Sequence, residues 1–188
     1  NIPGGSTVRY ELSYTSGDTF AAPFNADGAS ILIQRSGTEG EGLNNLNFFV
    51  YRFDLDLANG DISNGLIDIR YTAPGFAPEP CCTPSSTIAW ENQFSGFLPT
   101  GSASPLLSVD QANLCVRGFC VSSTGSEDLS RNRLGGVFSG AHGEVFWGSM
   151  SLEGRVPADL SAGPSAEIIE SLQVLVRAPC ISSECVGL

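Results

Sequence analysis

No lysine occurs anywhere in the 188 residues, so all nine basic side chains are arginine. That absence excludes Schiff-base chemistry, a Walker A phosphate loop, a lysine general base and any Lys-Asn isopeptide crosslink on this chain. Histidine is nearly absent too, since His142 stands alone. Zinc sites combine three or four ligands, and the sequence holds no CxxC pair, so zinc, haem and iron–sulfur ligation are not expected. A Ser139–His142–Glu144 triad is not expected either, because close neighbours along one strand cannot converge as a triad does. No apolar run of about 18 residues is present, which leaves no helical bilayer span. N-x-[ST] sequons are missing as well, which fits a prokaryotic exported protein better than a eukaryotic glycoprotein.

What is present is acidic and rich in cysteine. Twenty acidic residues against nine basic ones give a formal charge of −11. Nucleic acid and anionic membrane surfaces are therefore poor partners. Six cysteines, an even number, are expected to form three disulfides in an oxidising compartment. With Asn1 in place of Met, the expected location is extracellular or at the cell surface, after export through a cleaved signal peptide.

The clearest pattern lies between Asn47 and Tyr71. Phe49, Tyr51, Phe53, Leu55 and Leu57 alternate with Arg52, Asp54 and Asp56, the period-two signature of a half-buried strand. Asn59-Gly60 predicts a two-residue type I′ turn, after which Ile67, Ile69 and Tyr71 alternate on the return strand. Further strands are expected at Thr7–Tyr14, Ser30–Gln34, Thr87–Leu98 and Leu114–Val121, and as one bent strand or a strand pair over Val137–Val156. Ala166–Arg177 fits either period, but its β-branched second half favours a strand. Four prolines between Ala73 and Ser86 exclude a central strand there. One all-β domain over residues 1–188 is expected, an antiparallel β-sandwich of jelly-roll type with long loops.

Cys115-Val-Arg-Gly-Phe-Cys120 predicts a hairpin turning at Arg117-Gly118. Its cysteines then face one another at a non-hydrogen-bonded pair, close enough for a cross-strand disulfide. Cys81, Cys82, Cys180 and Cys185 allow three connectivities. A vicinal bridge is strained, so both C-terminal cysteines are expected to reach the Cys81-Cys82 loop, in either order.

Three constellations bear on function. Asp54 and Asp56, with Asp61 or Asn64, form a weak candidate calcium site, but their spacing fails the EF-hand pattern and solvated strand charges with turn residues are the favoured reading. Glu91 beside Trp90 and Glu144 near Trp147 could supply the paired carboxylates of a jelly-roll glycanase. Trp90 and Glu91 must face opposite ways on a strand, however, which makes Trp90 a core residue. The third is the first strand, within residues 1–16, whose Val8, Tyr10, Leu12 and Tyr14 share one face. It is expected either to pair within its own domain or to complete a neighbour's sheet.

The expectation that follows is a non-enzymatic structural subunit, pilus-like or of a matrix, polymerising with copies of itself without cofactors. The alternative is a secreted carbohydrate-binding domain or glycoside hydrolase.

Overall fold

In the computed structural model of the chain, the described residues are 7–15, 30–33, 46–72, 87–116, 119–122, 131–140, 143–156 and 166–177. Every regular element among them is a strand. In chain order these are β1 (Thr7–Thr15), β2 (Ser30–Ile33), β3 (Leu46–Asp56), β4 (Asp61–Thr72), β5 (Thr87–Phe97), β6 (Leu106–Val116), β7 (Phe119–Ser122), β8 (Arg133–Ser139), β9 (Val145–Val156) and β10 (Ala166–Arg177). They form two antiparallel sheets. One has the order β1-β3-β4-β5-β6-β7 and the other β2-β10-β9-β8.

Alternation builds the core. Val8, Tyr10, Leu12, Phe49, Tyr51, Phe53, Ile67, Ile69, Trp90, Phe94 and Leu114 are buried on one face of the larger sheet, and Phe138, Phe146, Met150, Leu152, Val174 and Val176 on the smaller. Burial of each large apolar side chain contributes about 1.5–3 kcal/mol. The two faces meet through aromatic rings: Tyr51 stacks on Phe146 at 6.1 Å and Phe53 meets Phe146 edge-on at 5.0 Å. Gly136, on β8, makes room for this layer, because a Cβ there would overlap the Phe146 ring.

Several expectations are met and several are corrected. The β3–β4 hairpin and the strand character of Ala166–Arg177 are as expected. Val137–Val156 is a strand pair, β8 and β9, with residues 140–144 between the strands. The jelly-roll expectation is replaced by a meander, because β3 to β7 follow one another as neighbours in a single sheet. Each of these strands pairs with the next in sequence, whereas a jelly roll passes the chain back and forth between its sheets.

The two-residue turn is corrected as well. Residues 57–60 all lie between the strands, and of these only Gly60 has positive φ, at 85°. The Asp56 carboxylate accepts the Ala58 N–H at 2.8 Å, and the Gly60 N–H donates to the Asp56 carbonyl at 2.8 Å. This side-chain closure supports a wider loop than the dipeptide implied, and it leaves Leu57 outside the core and exposed.

One disulfide, Cys115–Cys120, is present among the described residues, where the two cysteines are register partners. The strands on either side of Arg117-Gly118 pair as expected, with Val116 opposite Phe119. The turn itself lies outside the described residues, as do Cys81, Cys82, Cys180 and Cys185. The three-disulfide expectation therefore reduces to this one observed bridge. No helix occurs among the described residues, and so none is long and apolar enough to cross a membrane.

Candidate functional site

The strand β1 stands at the edge of the larger sheet and, among the described strands, pairs only with β3. Its register runs from Thr7 opposite Asp56 to Thr15 opposite Phe48. Alternation then sends Val8, Tyr10 and Leu12 inward, all at most 4% exposed. Tyr14 takes the next inward register position, opposite Phe49; its side chain lies outside the described residues.

Tyr10 is the anchor of the inner face. Its ring stacks on Phe53 at 4.9 Å and meets Phe138 of the opposite sheet edge-on at 5.4 Å. Its hydroxyl donates to the Gly143 carbonyl at 2.6 Å, in the link between β8 and β9. Burial pushes this hydroxyl up to about 12, with the Glu144 carboxylate acting in the same direction. One side chain on β1 thus fastens the edge of one sheet to the end of the other.

The outer face is held by charge. Arg9 donates from Nε to Asp54 Oδ1 at 2.8 Å and from Nη2 to Asp54 Oδ2 at 3.0 Å, a bidentate fork. Asn64 completes the arrangement, its Nδ2 donating to Asp54 Oδ2 at 2.8 Å. Asn64 reaches this carboxylate because β4 bulges there. Pairing with β5 jumps from Ile62 to Gly65, and Asn64 has a φ of 54°. Such a bulge re-aims a side chain, and asparagine tolerates the left-handed region better than most residues. The Asp54 carboxyl is held below the usual carboxylate range, first by its hydrogen bonds from Arg9, with Asn64 and the Arg52 charge adding and burial opposing. Two residues along, Glu11 stands opposite Arg52.

The candidate calcium residues are not brought together. Asp54 is taken up by Arg9 and Asn64, while Asp56 closes its own turn. Asp61 accepts the Asn59 side-chain amide at 2.7 Å. No group of three His, Cys, Asp or Glu side chains that could hold a metal occurs among the described residues. The paired carboxylates are separated as well. Trp90 is fully buried, and Glu91 lies on the outer face of the larger sheet, opposite Asp68 and Asn113. Glu144 lies instead beside Gly140, in the link that ends the β8–β9 hairpin of the other sheet. His142 lies outside the described residues.

The sequence reading missed Arg9, Asp54 and Asn64 as a unit. A signal was present: Arg9-x-Glu11 on one strand mirrors Arg52-x-Asp54 on another, the order antiparallel pairing needs to match opposite charges. Asn64 carried no comparable signal, because its role depends on the bulge. A second feature not foreseen is Trp147, half exposed on the outer face of the smaller sheet, between Val137 of β8 and Leu175 of β10.

In comparisons with protein-family models, curated proteins and solved structures, nothing matches the chain.

Proposed function

We propose that the protein is a non-enzymatic structural subunit of an extracellular or cell-surface assembly, a β-sandwich joined to copies of itself when β1 adds to a neighbour's sheet. The observation that carries this is the position of β1: an edge strand with a single partner among the described strands, whose inward side chains nevertheless fill the core. A strand so placed contributes the same contacts whether its own chain or a neighbour supplies it. Among the described edge strands, β2 and β7 have 4 residues each and β8 has 7, whereas β1 has 9. Short edges resist pairing with other chains, and the longest one invites it. Residues 16–29 link β1 to β2 and can span roughly 46 Å when extended, enough to reach an adjoining copy. The Cys115–Cys120 bridge supports export to an oxidising compartment.

The test uses two proteins. The full-length chain is expected to form concentration-dependent oligomers or filaments by light scattering and negative-stain microscopy. A chain lacking residues 1–15 should not assemble, and should regain cooperative unfolding when a synthetic peptide of residues 7–15 is added. A full-length chain that stays monomeric at every concentration overturns the proposal.

Trp147 favours a second reading, a carbohydrate-binding domain. A half-exposed indole on an outer sheet face, flanked by Val137, offers a ring face that can stack against a sugar ring. Glycan-array binding lost in Trp147→Ala would raise this reading above the first.

A further inference from the structure

We infer that the outward charges of β1 and β3 form a recognition code that admits one donor in one register, namely residues 7–15 of a second copy of this chain. The inference rests on the strand-addition proposal and adds to it the identity and alignment of the donor.

Register carries the selection. In the observed pairing Arg9 lies opposite Asp54 and Glu11 opposite Arg52, so both charged positions of β1 meet their opposites. A slip of one residue turns the strand over and drives Arg9 and Glu11 into the core, which burial forbids. A slip of two residues keeps the apolar face inward, so hydrophobic burial does not reject it. The charges do. A shift one way sets Arg9 opposite Arg52; a shift the other way sets Arg9 opposite Asp56 but Glu11 opposite Asp54, where the Asn64 contact holds the carboxylate in place. Like charges directly opposite on neighbouring strands are destabilising, so both alternatives with the correct face carry a repulsive pair that the observed register lacks.

Asp54 makes the selection stringent. It is only 7% exposed, and Asn64 approaches from the side away from β1 to share its carboxylate. A donor without an arginine at this position leaves Asp54 with the Asn64 amide but without a hydrogen-bonded cation. The inner face adds a second check, since the Tyr10 hydroxyl donates to the Gly143 carbonyl. A foreign strand would need an apolar–Arg–Tyr–Glu–apolar order to satisfy both faces, and residues 8–12 of this chain, Val-Arg-Tyr-Glu-Leu, have it.

The experiment reverses the charges on separate chains. One chain carries Arg9→Asp and keeps Asp54, while the other carries Asp54→Arg and keeps Arg9. Each alone then opposes like charges and is expected to assemble roughly tenfold less than wild type. An equal mixture, each chain separately labelled, should recover assembly with the two chains alternating, because each donor meets its opposite charge only on the other chain. The more exposed pair Glu11→Arg and Arg52→Glu is tested in parallel and should behave alike, which guards against failure of Asp54→Arg to fold. Single variants that assemble as well as wild type, or a mixture that recovers nothing while wild type assembles, overturn the charge code and leave strand addition standing. Wild type that never assembles overturns both.

Discussion

Asp54 is the residue at which a measurement separates a held charge from a merely solvated one. Arg9 bonds both carboxylate oxygens and Asn64 shares one of them, so the folded state favours the ionised form and lowers its pKa. The unfolded chain returns to the ordinary value of about 3.9. The sign follows: the contribution is present in full above that value and is lost as pH falls through the lowered folded value. Asp54→Asn should therefore cost about 1 kcal/mol near neutral pH, a figure discounted because Arg9 is exposed. It should also lose less stability than wild type between about pH 5 and pH 2, in urea midpoints followed against pH. Equal acid slopes would remove Asp54 from the account. Asn92 poses the opposite case, a polar group that the core holds without compensation. It is fully buried between Ile67 and Ala112, and among the described residues neither its carboxamide nor the Trp90 Nε1 has a hydrogen-bond partner. An unpaired buried polar group costs about 1–3 kcal/mol. Asn92→Val is expected to raise stability by about 1 kcal/mol on that basis, and a lowered urea midpoint would show that the amide is bonded after all.

At the scale of the strand, close approach between neighbours governs what the sequence can carry. Gly136 of β8 lies so close to the Phe146 ring of β9 that any side chain there must displace it. Gly136→Ala should destabilise by about 1–3 kcal/mol. The penalty should shrink in a Phe146→Leu background, and a thermal-unfolding double-mutant cycle measures that coupling. The glycine was visible in the sequence as an interruption of a strand, but the ring it accommodates was not, because that contact depends on how two strands align. The same division runs through the fold. The alternation of Phe49, Tyr51, Phe53 and Leu55, the β-branched second half of β10 and the spacing of Cys115 and Cys120 are local patterns, and each was legible. The turn at residues 57–60 was misjudged because Asp56 closes it with a side chain, an interaction the Asn59-Gly60 pair does not reveal. The Arg9–Asp54–Asn64 arrangement was illegible as a unit. It joins residues 45 and 10 positions apart, and it exists only once the β1–β3 register and the β4 bulge are both set.

For the whole molecule, charge works at two ranges in opposite senses. A net charge of −11 makes two copies repel as they approach, whereas Arg9 and Asp54 attract once β1 reaches its place at 2.8 Å. Salt separates these effects, because the screening length shortens from about 30 Å at 0.01 M to about 3 Å at 1 M, and long-range repulsion is screened before a contact pair is. Copies that exchange β1 should therefore do so several-fold faster in about 0.5 M salt than in about 0.02 M. Energy transfer between two labelled populations after mixing measures the rate. The preference of each donor for its matched acceptor should survive the same change, because the Asp54 carboxylate is almost entirely covered and its bonds to Arg9 are direct. A rate that falls as salt rises would mean that local complementarity between β1 and β3 already steers the encounter. A rate that rises while the matched preference disappears would place the selection in long-range charge and refute the register argument.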